Sequence, residues 1–205
     1  KKLSILRIGC SSQVELEILE NHNKIKEEFP TVYPQIIIQD YFILKSLFDN
    51  KQLDILISTK EMIAEAHDYI FKKIKNISSY AIIAENSPFA KEKEICFIDL
   101  YDTPLTTLHP ALSILIRDKL QEFIALHEKN HFHLLCKNDQ AAILFAKCNY
   151  GVAILPEIYI PTHIKRIVAL PFMDDQMTIE YGITYHKNLK EKYIKEFTNY
   201  FITNK

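Results

Sequence analysis

Four short polar runs hold the side chains of this 205-residue chain best suited to gripping a small molecule. The first is Cys10-Ser11-Ser12-Gln13, which follows the alternating apolar run LSILRIG of residues 3–9. Ser12-Gln13-Val14-Glu15 fits a capping box, in which Ser12 and Glu15 satisfy each other's backbone donors at the start of a helix. Free N–H groups and hydroxyls at such a helix start can hold an anion. Ser12 can also serve as a cap and nothing more, which leaves Cys10, Ser11 and Gln13 to face a ligand. Cys10 is a candidate redox thiol, because helix N-termini lower thiol pKa. The second run is Ser58-Thr59-Lys60, which closes the apolar run 53–57. The third, Thr107-Leu108-His109, ends the extended run 104–108. The fourth is Asn138, placed to cap the helix that follows it.

This is hydrogen-bonding chemistry, and nothing in the chain adds a catalytic constellation to it. GxSxG, HExxH and CxxC spacings are missing, and three glycines leave no glycine-rich phosphate loop. No enzyme activity and no cofactor are expected. His131 and His133 share a strand face, but with no third ligand in the pattern a metal site is not expected. Cys136 and Cys148 are expected to be buried, reduced thiols. Lysine and arginine total 25 against 26 acidic residues, for a net charge of -1, so a DNA-binding surface is not expected on this chain. No apolar run approaches the roughly 18 residues of a membrane span. With no secretory signal visible, a cytoplasmic location is expected. A chain that opens on Lys1-Lys2 without methionine is expected to have lost an N-terminal part.

The elements that position these runs are organised around residues 131–156, HFHLLCKNDQAAILFAKCNYGVAILP. The pattern reads strand, helix, strand. Ala141, Leu144, Phe145 and Cys148 mark the helix face, and Gly151 supplies the left-handed turn after it. Val152 to Leu155 reads as a strand buried on both faces. Upstream, strands are expected at 3–9, 35–39 and 53–57. A helix carries Val14, Ile18, His22, Ile25 and Phe29, and a shorter one, capped by Asp40, carries Ile43, Leu44, Leu47 and Phe48. Asn50 is the residue expected to turn left-handed at its end. Further strands are expected at 69–74, 79–84, 164–172 and 178–185, extended pieces at 95–98 and 104–108, and helices at 111–127 and around Leu189–Phe201. The result is an α/β chain of two similar halves. One half is residues 1–80 with 181–205, the other residues 81–180, with a cleft between them.

At this level the chain resembles the effector-binding domain of LysR-type transcriptional regulators along nearly its whole length. LRIG opens the domain as in the family. FPTVYPQIIIQD followed by LKSLFDNKQLDILIS resembles the family's element ending in "lDiai". ENSPFA resembles the element ending in HPLA, CFIDLYDTPLTTL the "dL...p.i" element, and FAKCNYGVAILP the "GlGiallP" element. Asn50-Lys51 stands where the family usually has glycine, and Ser87 where it has the histidine of HPLA. The resemblance implies two Rossmann-like lobes joined by two crossover strands, a type 2 periplasmic-binding-protein-like fold. A small polar, carboxylate-bearing effector would bind at Cys10, Ser11, Ser12, Gln13 and Thr59, with Thr107, Leu108, His109 and Asn138 on the other lobe. It also implies an N-terminal winged helix-turn-helix domain, absent from this chain, as the part that contacts DNA. A homodimer through the first-lobe helix and strand, and a higher oligomer in the longer protein, would follow. A solute-binding protein of a transport system is the alternative that shares this fold.

Overall fold

The computed structural model describes residues 3–12, 15, 25–63, 68–109, 122–125, 132–161, 165–173, 178–188 and 192–203. In chain order its main elements are β1 (Ser4–Cys10), α1 (Ile25–Glu28), β2 (Val32–Ile38), α2 (Tyr41–Asp49), β3 (Ile55–Thr59) and β4 (Tyr69–Ala84). Then follow β5 (Leu105–Leu108), β6 (His133–Cys136), α3 (Asp139–Lys147), β7 (Val152–Pro156), β8 (Ile167–Pro171), β9 (Thr178–His186) and α4 (Lys192–Thr203). The chain divides into two compact units. Unit 1 is Lys1–Asn76 with Glu180–Lys205, and unit 2 is Ile77–Ile179. The boundaries fall inside β4 and β9, so both strands run from one unit into the other.

Unit 1 is built on β1. It pairs in parallel with β2 from Ser4↔Val32 to Cys10↔Ile38, and with β3 at Ile8↔Ile55 and Gly9↔Leu56. Strand β9 runs antiparallel on the far side of β3. Strands joined in parallel need a crossover, and α2 supplies the one between β2 and β3. Its Leu44 and Phe48 pack on Leu53 and Leu56. All five residues of β3 are buried, as in a strand covered on both faces. Strand β2 lies at the edge of the sheet and exposes Tyr33, Ile36 and Ile38.

In unit 2 the second part of β4 pairs antiparallel with β7 and with β8. Strand β5 lies between β6 and β7, parallel to both. Helix α3 therefore carries the chain over β5 rather than between adjacent strands. The core gathers Ala81, Ile83, Leu105, Val152, Ile154 and Leu170, with Phe97 against Phe123 and Phe172. Residues 122–125 are helical. The rest of the helix expected at 111–127, and most of the one expected over Val14–Phe29, lie outside the described residues.

Several expectations need correction. The apolar runs 69–74 and 79–84 form one 16-residue strand. The polar Lys75-Asn76 between them does not break it, because a strand needs no continuous apolar face. Residues 95–98 do not form a strand. Ile95 makes a single bridge to Phe172, and Phe97–Leu100 is a 3-10 turn. Helix α3 turns a different face inward. Ala142 and Ala146 are buried, while Leu144 and Cys148 are exposed. Small side chains let the helix lie close to the sheet, and that proximity decides the face.

The two helix ends also differ from expectation, and in the same way. Asn149 holds the left-handed conformation after α3 (φ 59°), and Lys51 holds it after α2 (φ 59°). In each case the next N–H reaches back five residues, from Tyr150 to the Phe145 carbonyl and from Gln52 to that of Leu47. This is the Schellman arrangement, and a non-glycine residue there carries strain. Gly151 is required for another reason. A Cβ there would stand 2.1 Å from the Pro104 carbonyl oxygen, which accepts from the Val152 N–H at 2.9 Å.

Candidate functional site

The carboxyl ends of parallel strands in open α/β sheets are where ligands gather. In unit 1 Ser11 and Ser12 follow directly on the end of β1, and Thr59 ends the neighbouring β3. Thr59 is 1% exposed, and its Oγ1 has no hydrogen-bond partner among the described residues. Ser12 Oγ is buried and likewise without a partner among the described residues. A buried hydroxyl left unsatisfied costs roughly 1–3 kcal/mol, so two at neighbouring strand ends call for a missing partner. Ser58, the residue before Thr59, shows the contrast. Its hydroxyl is matched to that of Thr184 at 2.8 Å.

The capping box does not form as expected. Glu15 accepts from the Ser11 N–H at 2.7 Å and from the Ser11 hydroxyl at 2.7 Å, rather than from Ser12. Ser11 offers two donors to the two carboxylate oxygens, whereas the Ser12 backbone would offer one. Glu15 is the site residue that pattern reading passed over, since it registered only as the partner of a cap. Its signal was a carboxylate four residues after Ser11, within reach of one helical turn.

Cys10 is wholly buried at the end of β1. Burial pushes its thiol up to about 12, and the Glu15 charge acts in the same direction. Both effects run against the lowered thiol pKa on which a redox role for Cys10 would rest. Gln13 lies outside the described residues.

In unit 2 the neighbouring strands β5 and β6 bring other groups together. Thr107 is fully buried, and its hydroxyl is 3.0 Å from His133 Nε2 on β6. Leu108 is buried, and the backbone of exposed His109 donates to the Cys136 carbonyl at 2.9 Å. Asn138 caps α3, its Oδ1 accepting from the Ala141 N–H at 2.8 Å. His131 lies outside the described residues, and His133 serves Thr107. No group of three or more His, Cys, Asp or Glu that could hold a metal occurs among the described residues.

The sequence comparison decides the family. Residues 4–204 match the model of the LysR substrate binding domain. The chain belongs to that family. The LysR-type domain is 21% identical over 164 residues to the HTH-type transcriptional regulator BsdA of Bacillus subtilis (strain 168). That match covers 80% of this chain and 56% of the regulator, so the chain spans about half the length of its curated relative. Among solved structures, the reduced OxyR regulatory domain from Pseudomonas aeruginosa superposes with a TM-score of 0.77 at 15% identity. It covers 98% of this chain and 97% of that one. The C-terminal domain of a probable LysR family transcriptional regulator from Rhodococcus sp. RHA1 gives 0.76 at 13% identity, over 97% and 98%. The fold is thus the type 2 periplasmic-binding-protein-like fold. The transport-protein alternative receives no support from these relatives. No helix among the described residues is long and apolar enough to cross a membrane.

Proposed function

We propose that this LysR-type domain is the effector-sensing part of a longer transcriptional regulator. Its ligand is a small polar metabolite bearing a carboxylate, received at the strand ends of unit 1. The observation that carries the reading is the pair of buried, unpartnered hydroxyls, Thr59 Oγ1 and Ser12 Oγ. Each would regain a hydrogen bond from a bound polar group. Thr107, Leu108, His109 and Asn138 form the corresponding strand-end set of unit 2. No reaction is assigned to the domain, which reads as a sensor of occupancy. DNA contact belongs to a winged helix-turn-helix segment of the longer protein. The domain acts as a cytoplasmic homodimer, paired through the exposed edge of β2 and the helix before it, with higher assembly in the longer chain.

The test begins with a thermal-shift screen of metabolites, because a ligand at about 100 times its Kd adds roughly 2.7 kcal/mol of stability. The ligand found is then titrated into Thr59→Val and Ser12→Ala. A hydrogen bond to a charged group is worth roughly 1.5–3 kcal/mol, so each variant should bind about tenfold more weakly or worse. Far-UV circular dichroism should stay unchanged. Parent-like affinity in both variants removes unit 1 as the anchoring site.

A further inference from the structure

The most informative group at the unit 1 strand ends is the carboxylate that already sits on Ser11. Glu15 Oε2 takes the Ser11 N–H and Oε1 takes the Ser11 hydroxyl, both at 2.7 Å. Glu15 itself is buried, with 6% of its surface exposed. One carboxylate bound through both oxygens, to a backbone N–H and a hydroxyl, is the geometry in which a free carboxylate would be held. The hydroxyl of Thr59, fully buried at the neighbouring strand end, is left without a partner among the described residues. The strand ends thus hold one acid-binding position that is filled from within the chain and hydroxyls that are not.

We infer that Ser11 is the carboxylate-binding position of the effector site and that Glu15 is its internal competitor. This rests on the reading of the unit 1 strand ends as the effector site. An incoming carboxylate cannot share the single Ser11 N–H with Glu15, and two carboxylates brought together repel. The acidic group of the effector therefore takes the Ser11 donors only when the Glu15 side chain leaves them. The Ser12 and Thr59 hydroxyls have no partner among the described residues to give up, so they supply affinity to a polar ligand, while Glu15 sets the threshold for placing an acidic group on Ser11. Occupancy then exchanges the Ser11–Glu15 contact for a contact between Ser11 and the effector. A ligand couples to a conformational change through such a difference in contacts between two states.

The experiment uses acetate as the probe, with sodium chloride at equal ionic strength as the control. The parent and Glu15→Ala are followed by melting temperature and by the amide resonance of Ser11 in isotope-labelled protein. Glu15→Ala empties the position, so acetate should raise its melting temperature and return the Ser11 resonance toward its parent position. The parent should respond to neither salt. If Glu15→Ala does not fold, Glu15→Gln replaces it, because a neutral amide holds the two donors less strongly. Acetate should then move the Ser11 resonance in that variant and not in the parent. Acetate that leaves the Ser11 resonance unmoved in the folded variant overturns the inference, as does an equal response in the parent. Either failure is distinct from failure of the site itself, which is read from Thr59→Val and Ser12→Ala with the screened metabolite.

Discussion

The clamp between Arg7 and Asp54 should set how firmly β1 and β3 are joined, and its removal tests that directly. Asp54 Oδ1 accepts from Arg7 Nη2 at 2.7 Å, and Oδ2 accepts from Arg7 Nε at 3.0 Å and from the Arg7 backbone N–H at 2.8 Å. The Asp54 N–H returns a bond to the Arg7 carbonyl at 2.9 Å. The hydrogen bond to Asp54 raises the pKa of the Arg7 guanidinium above its ordinary value, against the opposing effect of burial. The two residues lie five positions before Ser12 and Thr59 along the chain. At about 3.3 Å per residue, the clamp sits roughly 16 Å from the proposed site, at the other end of the same strand pair. Asp54→Ala leaves three donors without their acceptor. Each bond to a charged group is worth roughly 1.5–3 kcal/mol, but the Arg7 side chain is 37% exposed and regains water. The expected loss is therefore about 2–3 kcal/mol, mostly from the backbone N–H and the Nε bond. For a chain of this size that lowers Tm by roughly 4–12 °C. Urea unfolding of Asp54→Ala, Arg7→Ala and the double variant should show a clear coupling energy, because the second substitution finds its partner already gone. A loss below about 0.5 kcal/mol for Asp54→Ala, or strict additivity, would show that the clamp contributes only as an exposed surface pair does.

Gly151→Ala should be strongly destabilising, by about 3 kcal/mol or more, since the new methyl meets backbone at 2.1 Å rather than a movable side chain. Soluble expression with a parent-like Tm would contradict that steric reading. Stability should also fall in alkali. Burial pushes Cys10 from 9.0, and Tyr41 from 10.0, up to about 12. Above pH 9 the unfolded chain sheds protons that the folded chain keeps, so the stabilisation present below pH 9 drains away toward pH 12. Cys10→Ala should flatten the first part of that decline, as measured by urea midpoints from pH 7.5 upward. Finally, light scattering should find the parent dimeric at micromolar concentration and Ile36→Lys monomeric, because Ile36 lies on the exposed edge of β2. A monomeric parent would remove β2 as the pairing edge.

Much of this protein is written in local pattern. The alternation of β1, the apolar run of β7 and the Asn138 cap depend on neighbours a few residues away, and they stand in the structure as the sequence indicates. The motif order placed the chain among LysR-type domains because it records the sequence of elements, which survives at low identity. Tertiary contact decided the rest. Which face of α3 turns inward depends on how closely the helix approaches the sheet. Gly151 is needed because the Pro104 carbonyl, distant in sequence, lies against it. Asn149 and Lys51 take the left-handed positions because each falls just past the last turn of its helix, where the next N–H closes back five residues. The site shows the same division. Hydroxyls at the ends of β1 and β3 are legible as residue types. That Thr59 is buried without a partner, that Thr107 is matched to His133, and that Glu15 occupies the Ser11 donors follow only once the chain is folded. A sequence lists donors and acceptors, but hydrogen bonds act over about 3 Å, and only the packed chain determines which groups come that close.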